Sequence, residues 1–232
     1  MQSKIKHIGI LGGMGMSSTI LMQKYLFEMH RHNYKSRPLP LVTYYIVDIK
    51  KVFEYQFAGQ WKPYADYLSE CIIKLEKSKC DFVSIAAVTP HIVYDSLCEK
   101  AKIPLLNIFA NTAHEFEKKK IDSVLLLATS FTAKAGLFER NIKKSVKKVI
   151  LPNKKDQEFL DSLIYRSLAV GEKKESYKNE ISRLIGKYDC DGVVLGCTDL
   201  PLVFSQKDTS IPVIDTLRCH ASATLRYSYR SE

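Results

Sequence analysis

Short apolar runs that alternate with amphipathic segments constrain the fold of this chain more than any other feature. Runs rich in Val, Ile and Leu between helical patterns are typical of strands buried in a parallel sheet. The predicted strands are Ile8–Leu11, Leu41–Val47, Phe82–Ala86, Leu105–Ile108, Ser123–Ala128, Lys148–Leu151, Gly192–Leu195 and Val213–Ile214. The predicted helices are Ser17–Arg31, Pro63–Lys77, His91–Ala101, Phe138–Ser145, Gln157–Val170 and Lys173–Lys187. This alternation predicts an α/β fold.

The sequence also resembles itself at an offset close to half its length. The matched pairs are Ile5–Gly12 with Ile121–Ala128, Cys80–Thr89 with Cys190–Thr198, and Ile103–Asn107 with Ile211–Asp215. Their common order predicts two pseudo-symmetric lobes, each a three-layer α/β/α arrangement with a mainly parallel sheet, over residues 1–103 with 213–232 and residues 104–212. Ligands collect beyond the carboxyl ends of parallel strands, so we expect the active site between the lobes. The alternative, that all α/β chains share such Val-rich strands, stays open.

The charge of the chain bears on its partners. Its net charge is +10, but the lysines stand in short separate groups without a nucleic-acid-binding motif, which favours a solvated surface over RNA or DNA binding. We find no segment apolar enough to span a membrane and no signal peptide. The six cysteines show neither CxxC nor zinc-ligand spacing, which predicts reduced thiols, no metal site and a cytoplasmic location.

The segment Gly196-Cys197-Thr198-Asp199 places a thiol directly after a predicted strand. At the junction of a strand and a helix, backbone N–H groups and the positive helix end favour the thiolate, which is a usable base or nucleophile. A cysteine beside glycine in an apolar stretch is interpreted equally well as a small buried hydrophobic residue. Position alone leaves both interpretations of Cys197 open.

A glycine-rich turn, Gly12-Gly13-Met14-Gly15, follows the first predicted strand. Such turns expose N–H groups that bind phosphates or carboxylates. The pattern falls short of a dinucleotide fingerprint, because no later strand ends in an acidic residue at the required distance, and without Gly-Lys-Ser/Thr it is no P-loop. The turn therefore predicts a carboxylate site.

Five motifs, in the correct order, together resemble the aspartate/glutamate racemase superfamily over nearly the whole chain. They are Gly12–Gly15; Thr89 with His91, a degraded Cys-Asn-Thr-x-His; Leu127-Ala128-Thr129-x-x-Thr132; Gly196–Asp199, for Gly-Cys-Thr-Glu; and Ile211–Thr216 followed by His220. The resemblance implies two lobes and Cα proton transfer without pyridoxal phosphate or another cofactor. Inversion at carbon needs one proton-transferring group on each face of the substrate.

The resemblance also implies roles for single residues. Cys197 is the expected catalytic thiol, and Thr89 or a bound water is the expected group on the opposite face. Backbone amides and hydroxyls would hold the substrate carboxylates and spread the enolate-like charge. The residues expected to bind substrate are Gly13, Met14, Val88, His91, Thr129, Thr132, Thr198 and His220.

Ala87 is the departure from the family pattern, because it stands where the family has its first cysteine, and the internal repeat aligns it with Cys197. Alanine cannot transfer a proton. Relatives with Thr there still act as racemases, whereas arylmalonate decarboxylases look similar in keeping only the second cysteine. Three functions stay open: a racemase or epimerase of acidic amino acids, a one-base decarboxylase or isomerase, and an inactive relative that binds an acidic metabolite.

Substrate and assembly rest on the resemblance alone. The stretch Tyr44–Ile49 is similar to the Tyr-Ser-Val-Asp-Phe stretch of the branch that acts on L-aspartate and L-glutamate, which favours a small carboxylate or amino acid as the partner. Family members are commonly dimers, so the resemblance implies a homodimer.

Overall fold

Two four-stranded parallel sheets form the framework of the chain. The computed structural model describes residues 4–230. The strands are β1 (Ile8–Gly12), β2 (Val42–Ile46), β3 (Phe82–Ile85), β4 (Leu105–Leu106), β5 (Ser123–Leu127), β6 (Lys148–Ile150), β7 (Gly192–Leu195) and β8 (Val213–Asp215). Every predicted strand is present, and every strand pair is parallel. The predicted α/β class is confirmed.

Helices flank both sheets. They are α1 (Met16–Asn33), α2 (Ile49–Phe57), α3 (Trp61–Lys77), α4 (Tyr94–Lys100), α5 (Ile108–Lys119), α6 (Ser130–Lys134), α7 (Leu137–Ile142), α8 (Lys154–Ser162), α9 (Ser176–Ile185) and α10 (Thr216–Ser228). The sequence patterns missed α2, α5, α6 and α10. None of the helices described between residues 4 and 230 is long and apolar enough to cross a membrane.

Two predicted helices differ from the observed ones. The helix predicted over His91–Ala101 starts as a 3₁₀ turn at Thr89–Val93 before α4, and 3₁₀ turns are frequent at the N-terminal ends of α-helices. The helix predicted over Gln157–Val170 is α8 followed by a π turn at Leu163–Ser167 and a 3₁₀ turn at Leu168–Val170. A π turn is wider than an α turn, so it changes the direction of the side chains that follow α8.

The first compact unit comprises the residues up to 107 and those from 220 onward. Its sheet has the order β2-β1-β3-β4. The alternate side chains Leu11, Val83 and Ile85 pack with buried residues of α3 in one core. The other face of β3 carries Ser84, which contacts side chains of α10. Strand alternation thus gives β3 one apolar face and one buried polar residue.

The second compact unit comprises residues 108–219. Its sheet has the order β6-β5-β7-β8, the same order as in the first unit. Leu125 and Leu127 of β5 and Val193 and Leu195 of β7 pack with buried residues of α8 and α9. The equal strand order agrees with the internal repeat found in the sequence.

The boundary between the units differs from the predicted one. Lobes over residues 1–103 with 213–232 and over 104–212 would exchange β4 and β8 between the sheets. Instead β4 pairs with β3, and β8 pairs with β7. Each short edge strand therefore stays with the strand that precedes it in the repeat, and the boundary falls inside α10, between Cys219 and His220.

Candidate active site

The glycine-rich turn after β1 is shaped by close contacts that exclude larger residues. Gly13 has a φ of 95°, and a Cβ there would lie 2.9 Å from Ile46 Cγ2. Its N–H donates to Thr19 Oγ1 at 2.9 Å, and the same hydroxyl donates to the Gly15 carbonyl at 3.0 Å. Because its N–H bonds within the turn, Gly13 shapes this loop, and its role in binding substrate stays a prediction.

Met14 follows in the same turn, and its side chain lies next to a buried phenol. The Tyr64 side chain is fully buried, and its hydroxyl lies 3.9 Å from Met14 Sδ. Gln56 Nε2 donates to the Tyr64 hydroxyl at 2.9 Å. Side chains of α2 and α3 therefore fix the position of Met14, whose own side chain is partly exposed.

The loop after β3 has few side chains that could transfer a proton. Ala87 and Val88 are 3% and 4% exposed, and neither side chain can transfer a proton. Thr89 begins the 3₁₀ turn and is partly exposed. His91 holds this turn, since its backbone N–H donates to the Val88 carbonyl at 3.0 Å and its Nδ1 lies 3.2 Å from the same oxygen. Thr89 is thus the hydroxyl that the first unit presents at the end of β3.

His220 belongs to a closed hydrogen-bond chain in the interior of the first unit. Ser84 Oγ lies 2.7 Å from His220 Nε2 and 2.8 Å from Thr224 Oγ1, and Thr224 Oγ1 donates to the His220 carbonyl at 2.7 Å. The single Thr224 proton is used there, so Ser84 must donate to Thr224 and His220 Nε2–H must donate to Ser84. This direction excludes Ser84 as a nucleophile activated by His220.

Both histidines that were predicted to bind substrate are interior residues of the first unit. His91 and His220 are 5% and 0% exposed, with ring centroids 6.3 Å apart. Burial lowers the pKa of His91 to about 4 and that of His220 to about 3. Both imidazoles are therefore neutral at physiological pH. They stabilise the loop after β3 and the β3–α10 contact, and they do not present a charge to substrate.

Cys197 lies two residues beyond the end of β7 in the second unit. A Cβ at the preceding Gly196 would lie 2.5 Å from Leu126 Cδ1, so only glycine fits there. Cys197 is partly exposed, while Thr198 and Asp199 are buried. The backbone continues into a 3₁₀ turn of three residues, Leu200–Leu202.

The protonation state of Cys197 differs from the predicted thiolate. Burial and the neighbouring Asp199 carboxylate raise the pKa of the Cys197 thiol, against smaller opposing contributions from the backbone N–H groups of Asp199 and Leu200. A three-residue 3₁₀ turn lacks the aligned dipoles of an α-helix, so it offers weaker stabilisation of negative sulfur than the sequence suggested. At neutral pH the group is a thiol, which is a proton donor.

Two threonines follow β5 in the same unit. Thr129 is the N-cap of α6, and its Oγ1 accepts from the Thr132 N–H at 3.2 Å and donates to Thr132 Oγ1 at 3.1 Å. Both are buried. Tyr165 in the π turn hydrogen-bonds Thr129 and lies close enough to Cys197 for their charges to interact. Sequence reasoning missed Tyr165; its signal was the four-residue spacing from Gln157 and Asp161 along the predicted helix.

The predicted site residues fall at the carboxyl ends of strands, separately in each unit. In the first unit Gly13 and Met14 follow β1, and Val88 and Thr89 follow β3. In the second unit Thr129 and Thr132 follow β5, and Cys197 and Thr198 follow β7. Within residues 4–230 no group of three or more His, Cys, Asp or Glu is arranged to hold a metal ion. Each set occupies one edge of its own parallel sheet, where α/β proteins bind ligands.

Comparisons with known proteins identify the family. A model of the Asp/Glu/Hydantoin racemase family matches residues 11–224. The broad specificity amino-acid racemase RacX of Bacillus subtilis is 26% identical over 161 residues, 66% of this chain and 67% of that protein. The crystal structure of an aspartate racemase homologue from Pyrococcus horikoshii is 30% identical, with a TM-score of 0.85, and covers 97% of this chain and 100% of that chain.

A further solved structure has the same fold at lower identity. The aspartate racemase of Picrophilus torridus is 23% identical, with a TM-score of 0.81, and the alignment covers 98% of this chain and 96% of that chain. The family match extends over both units, from the glycine-rich turn after β1 into α10. The chain therefore belongs to the Asp/Glu/hydantoin racemase family and is an amino-acid racemase, an isomerase.

Proposed function

We propose that this enzyme racemises an acidic amino acid, aspartate or glutamate, without a cofactor, and that Cys197 transfers the Cα proton on one face of the substrate. One observation carries the proposal: the partly exposed Cys197 thiol stands beyond the end of β7, beside the hydroxyl-bearing Thr198. Tyr165 connects this thiol to the hydroxyl pair of Thr129 and Thr132. A thiol beside several hydroxyl donors suits proton transfer next to a carboxylate.

The proposed reaction breaks the Cα–H bond and forms it again on the opposite face. A base on one face takes the proton, and the electron pair of the Cα–H bond moves into an enolate-like form of the carboxylate. The Cys197 thiol then gives its proton to Cα from the other face and becomes a thiolate; the reverse reaction uses that thiolate as the base. Because its raised pKa makes the thiol the resting form, Cys197 acts first as an acid. The Thr132 hydroxyl, which accepts the proton of Thr129, would stabilise the charge on the carboxylate.

The second proton-transferring group in this proposal is Thr89 or a water that it holds. Ala87 and Val88 cannot serve, since neither side chain has an acidic or basic group. The Thr89 residue is partly exposed, and it begins the turn that follows β3. An alcohol is a far weaker acid than a thiol, and a neutral hydroxyl or water is a poor base toward a Cα–H bond, so we expect this half of the reaction to limit the rate.

An acidic substrate is supported by the positive net charge of +10 and by the similarity to an aspartate racemase homologue. A wider range of amino acids is the second candidate. It is favoured by the similarity to RacX, whose name describes a broad specificity amino-acid racemase. The two candidates differ in whether amino acids without a side-chain carboxylate are also turned over.

Proton NMR in D₂O tests the proposed function. The purified enzyme is incubated with L- and D-aspartate, L- and D-glutamate and a panel of neutral and basic amino acids. We expect deuterium at Cα together with the opposite enantiomer for the acidic substrates. Cys197→Ser should lose this exchange by at least about 100-fold, whereas Cys219→Ser, a partly buried cysteine of the same unit, should retain it. Exchange without inversion would refute the two-base scheme and indicate a one-base reaction, and full exchange in Cys197→Ser would refute the role of the thiol.

We also propose that the enzyme is a homodimer. Exposed apolar side chains line one face of α1, namely Met16, Ile20 and Phe27, and Leu41 and Ile46 flank the edge strand β2. These five side chains are 43% to 72% exposed, and apolar side chains are enriched at the centre of homodimer interfaces. In the described part of the chain β2 pairs only with β1. A second copy would cover this surface.

We also propose that the enzyme is located in the cytoplasm. All six cysteines are free, and unpaired thiols are typical of a reducing compartment. Fractionation of cells with an antibody against the chain checks this location.

A further inference from the structure

One face of α8 and of the π turn after it points its side chains at the loop that follows β5. The three residues are Gln157, Asp161 and Tyr165, four positions apart from one to the next. Gln157 and Asp161 lie four residues apart and therefore one above the other on α8, and Tyr165 continues this row in the π turn. We call this row the α8 clasp.

Each residue of the clasp bonds a different residue of the loop. Gln157 Nε2 donates to the Ala128 carbonyl at 2.9 Å. Asp161 Oδ1 accepts the Ser130 N–H at 2.7 Å. Tyr165 hydrogen-bonds the side chain of Thr129 between them. Three side chains thus hold three consecutive loop residues.

The clasp is also braced along its own length. Gln157 Nε2 lies 3.3 Å from Asp161 Oδ1, so the amide donates to both the loop carbonyl and the carboxylate. Asp161 therefore accepts one bond from the loop and one from the helix. Tyr165 lies in the π turn Leu163–Ser167, a wide helical turn of the kind found frequently at functional sites.

Counting protons gives the Thr129 hydrogen bonds a direction. Thr129 Oγ1 donates its one proton to Thr132 Oγ1 and accepts the Thr132 N–H. The Tyr165 hydroxyl must therefore donate to Thr129 Oγ1, since a hydroxyl has a single proton. The order of donation is Tyr165 to Thr129 to Thr132. Removing the phenol would leave Thr129 free to rotate and to reverse this order.

We propose that Tyr165 is a positioning residue of the racemase site: through the α8 clasp it fixes Thr129, which donates to Thr132, and so orients the Thr132 hydroxyl toward the substrate carboxylate. This inference deepens the proposed function and rests on it. Tyr165 is partly exposed and interacts electrostatically with Cys197. It therefore links the carboxylate-binding hydroxyls to the proton-transferring thiol.

The test compares two variants that each lose one phenolic oxygen in the same unit. Tyr165→Phe removes the donor to Thr129. Tyr177→Phe removes the hydroxyl that donates to Ser167 at 2.9 Å, at the far end of the π turn and outside the clasp. We expect Tyr165→Phe to raise KM for the amino acid about 3- to 10-fold, the value of one hydrogen bond, with a smaller change in kcat. Tyr177→Phe should lower the Tm about as much as Tyr165→Phe does and leave KM unchanged.

Asp161 supplies a second, independent comparison. Asp161→Asn keeps an oxygen that can accept the Ser130 N–H, whereas Asp161→Ala does not. We expect KM to rise in Asp161→Ala and to return most of the way in Asp161→Asn. Equal KM values in Tyr165→Phe and wild type, or equal increases in Tyr165→Phe and Tyr177→Phe, would overturn the inference.

The failure of this inference can be told from the failure of the proposed function. Thermal stabilisation is measured beside turnover in each protein, with L- or D-aspartate at about 10 to 100 times KM. For a single site, such concentrations should stabilise the protein by about 1 to 3 kcal/mol. Absence of both turnover and stabilisation in wild type rejects the acidic substrate. Turnover and stabilisation in wild type that persist undiminished in Tyr165→Phe reject only the clasp.

Discussion

The two buried histidines of the first unit make its stability depend on pH in a range where carboxylates contribute little. His91 and His220 are nearly or fully buried, and their folded pKa values are lowered to about 4 and about 3. An unfolded histidine has a pKa near 6.5. Between about pH 6.5 and 4 both groups therefore bind a proton only in the unfolded chain.

The direction and size of the effect follow from this difference in proton binding. Stability rises with pH wherever the unfolded state binds more protons, so it is full above pH 6.5 and is lost as the pH falls toward the folded pKa values. Each imidazole contributes about 1.4 kcal/mol per pH unit in that range. Lowering the pH from 7 to 5 should therefore decrease the free energy of unfolding by about 4 kcal/mol for the pair.

Urea denaturation followed by tryptophan fluorescence measures this loss. The single tryptophan of the chain is Trp61, which lies in α3 of the first unit and so reports on the unit that contains both histidines. His220→Gln keeps an N–H donor for Ser84 but does not titrate. We expect the decrease between pH 7 and 5 to fall to about 2 kcal/mol in this variant. A decrease of the same size in wild type and His220→Gln would refute the reasoning.

Two further predictions concern packing and assembly. Gly196→Ala should destabilise the protein by about 1 to 3 kcal/mol, because the new Cβ would lie 2.5 Å from Leu126 Cδ1. The control is Gly186→Ala, where the nearest contact is 3.6 Å, and this variant should unfold at the wild-type temperature or above. Equal Tm values of the two variants in calorimetry would contradict this reasoning. Phe27→Glu should shift the molar mass in light scattering from dimer toward monomer, whereas Phe57→Glu on α2 should not; an unchanged mass in Phe27→Glu would count against the α1 surface.

The strands and the repeat could be predicted from sequence because both depend on local pattern. A buried parallel strand needs a continuous apolar run, so the runs that became β3 and β7 are visible without any knowledge of the fold. The helices α5 and α10 were missed for the same reason. Both helices begin within two residues of a short strand, and the strand predicted over Leu105–Ile108 already included Ile108, the first residue of α5.

The chemistry of single residues was less predictable, since it depends on neighbours distant in sequence. The position of Cys197 at a strand end is local and was found, but its raised pKa arises from burial and from Asp199 in a turn that the sequence suggested to be a helix. The neutral state of His220 likewise arises from burial and from His91, which is far away along the chain. Tyr165 was missed because its four-residue spacing from Gln157 and Asp161 is shared by every helix face, so the spacing alone does not mark a functional residue.

The equal strand order of the two sheets allows the positions of Ala87 and Cys197 to be compared directly. Ala87 and Cys197 each stand two residues beyond the end of the strand, β3 in one unit and β7 in the other. These strands occupy the same place in their sheets, so the repeat carries a thiol at one of two equivalent positions and a methyl group at the other. The proposed reaction therefore joins a thiol to a much weaker hydroxyl or water partner. Such a pair should pass protons unequally in the two directions, so the solvent isotope effect on kcat should differ between the L and D substrates, while kcat/KM must be the same for both enantiomers because their equilibrium constant is one.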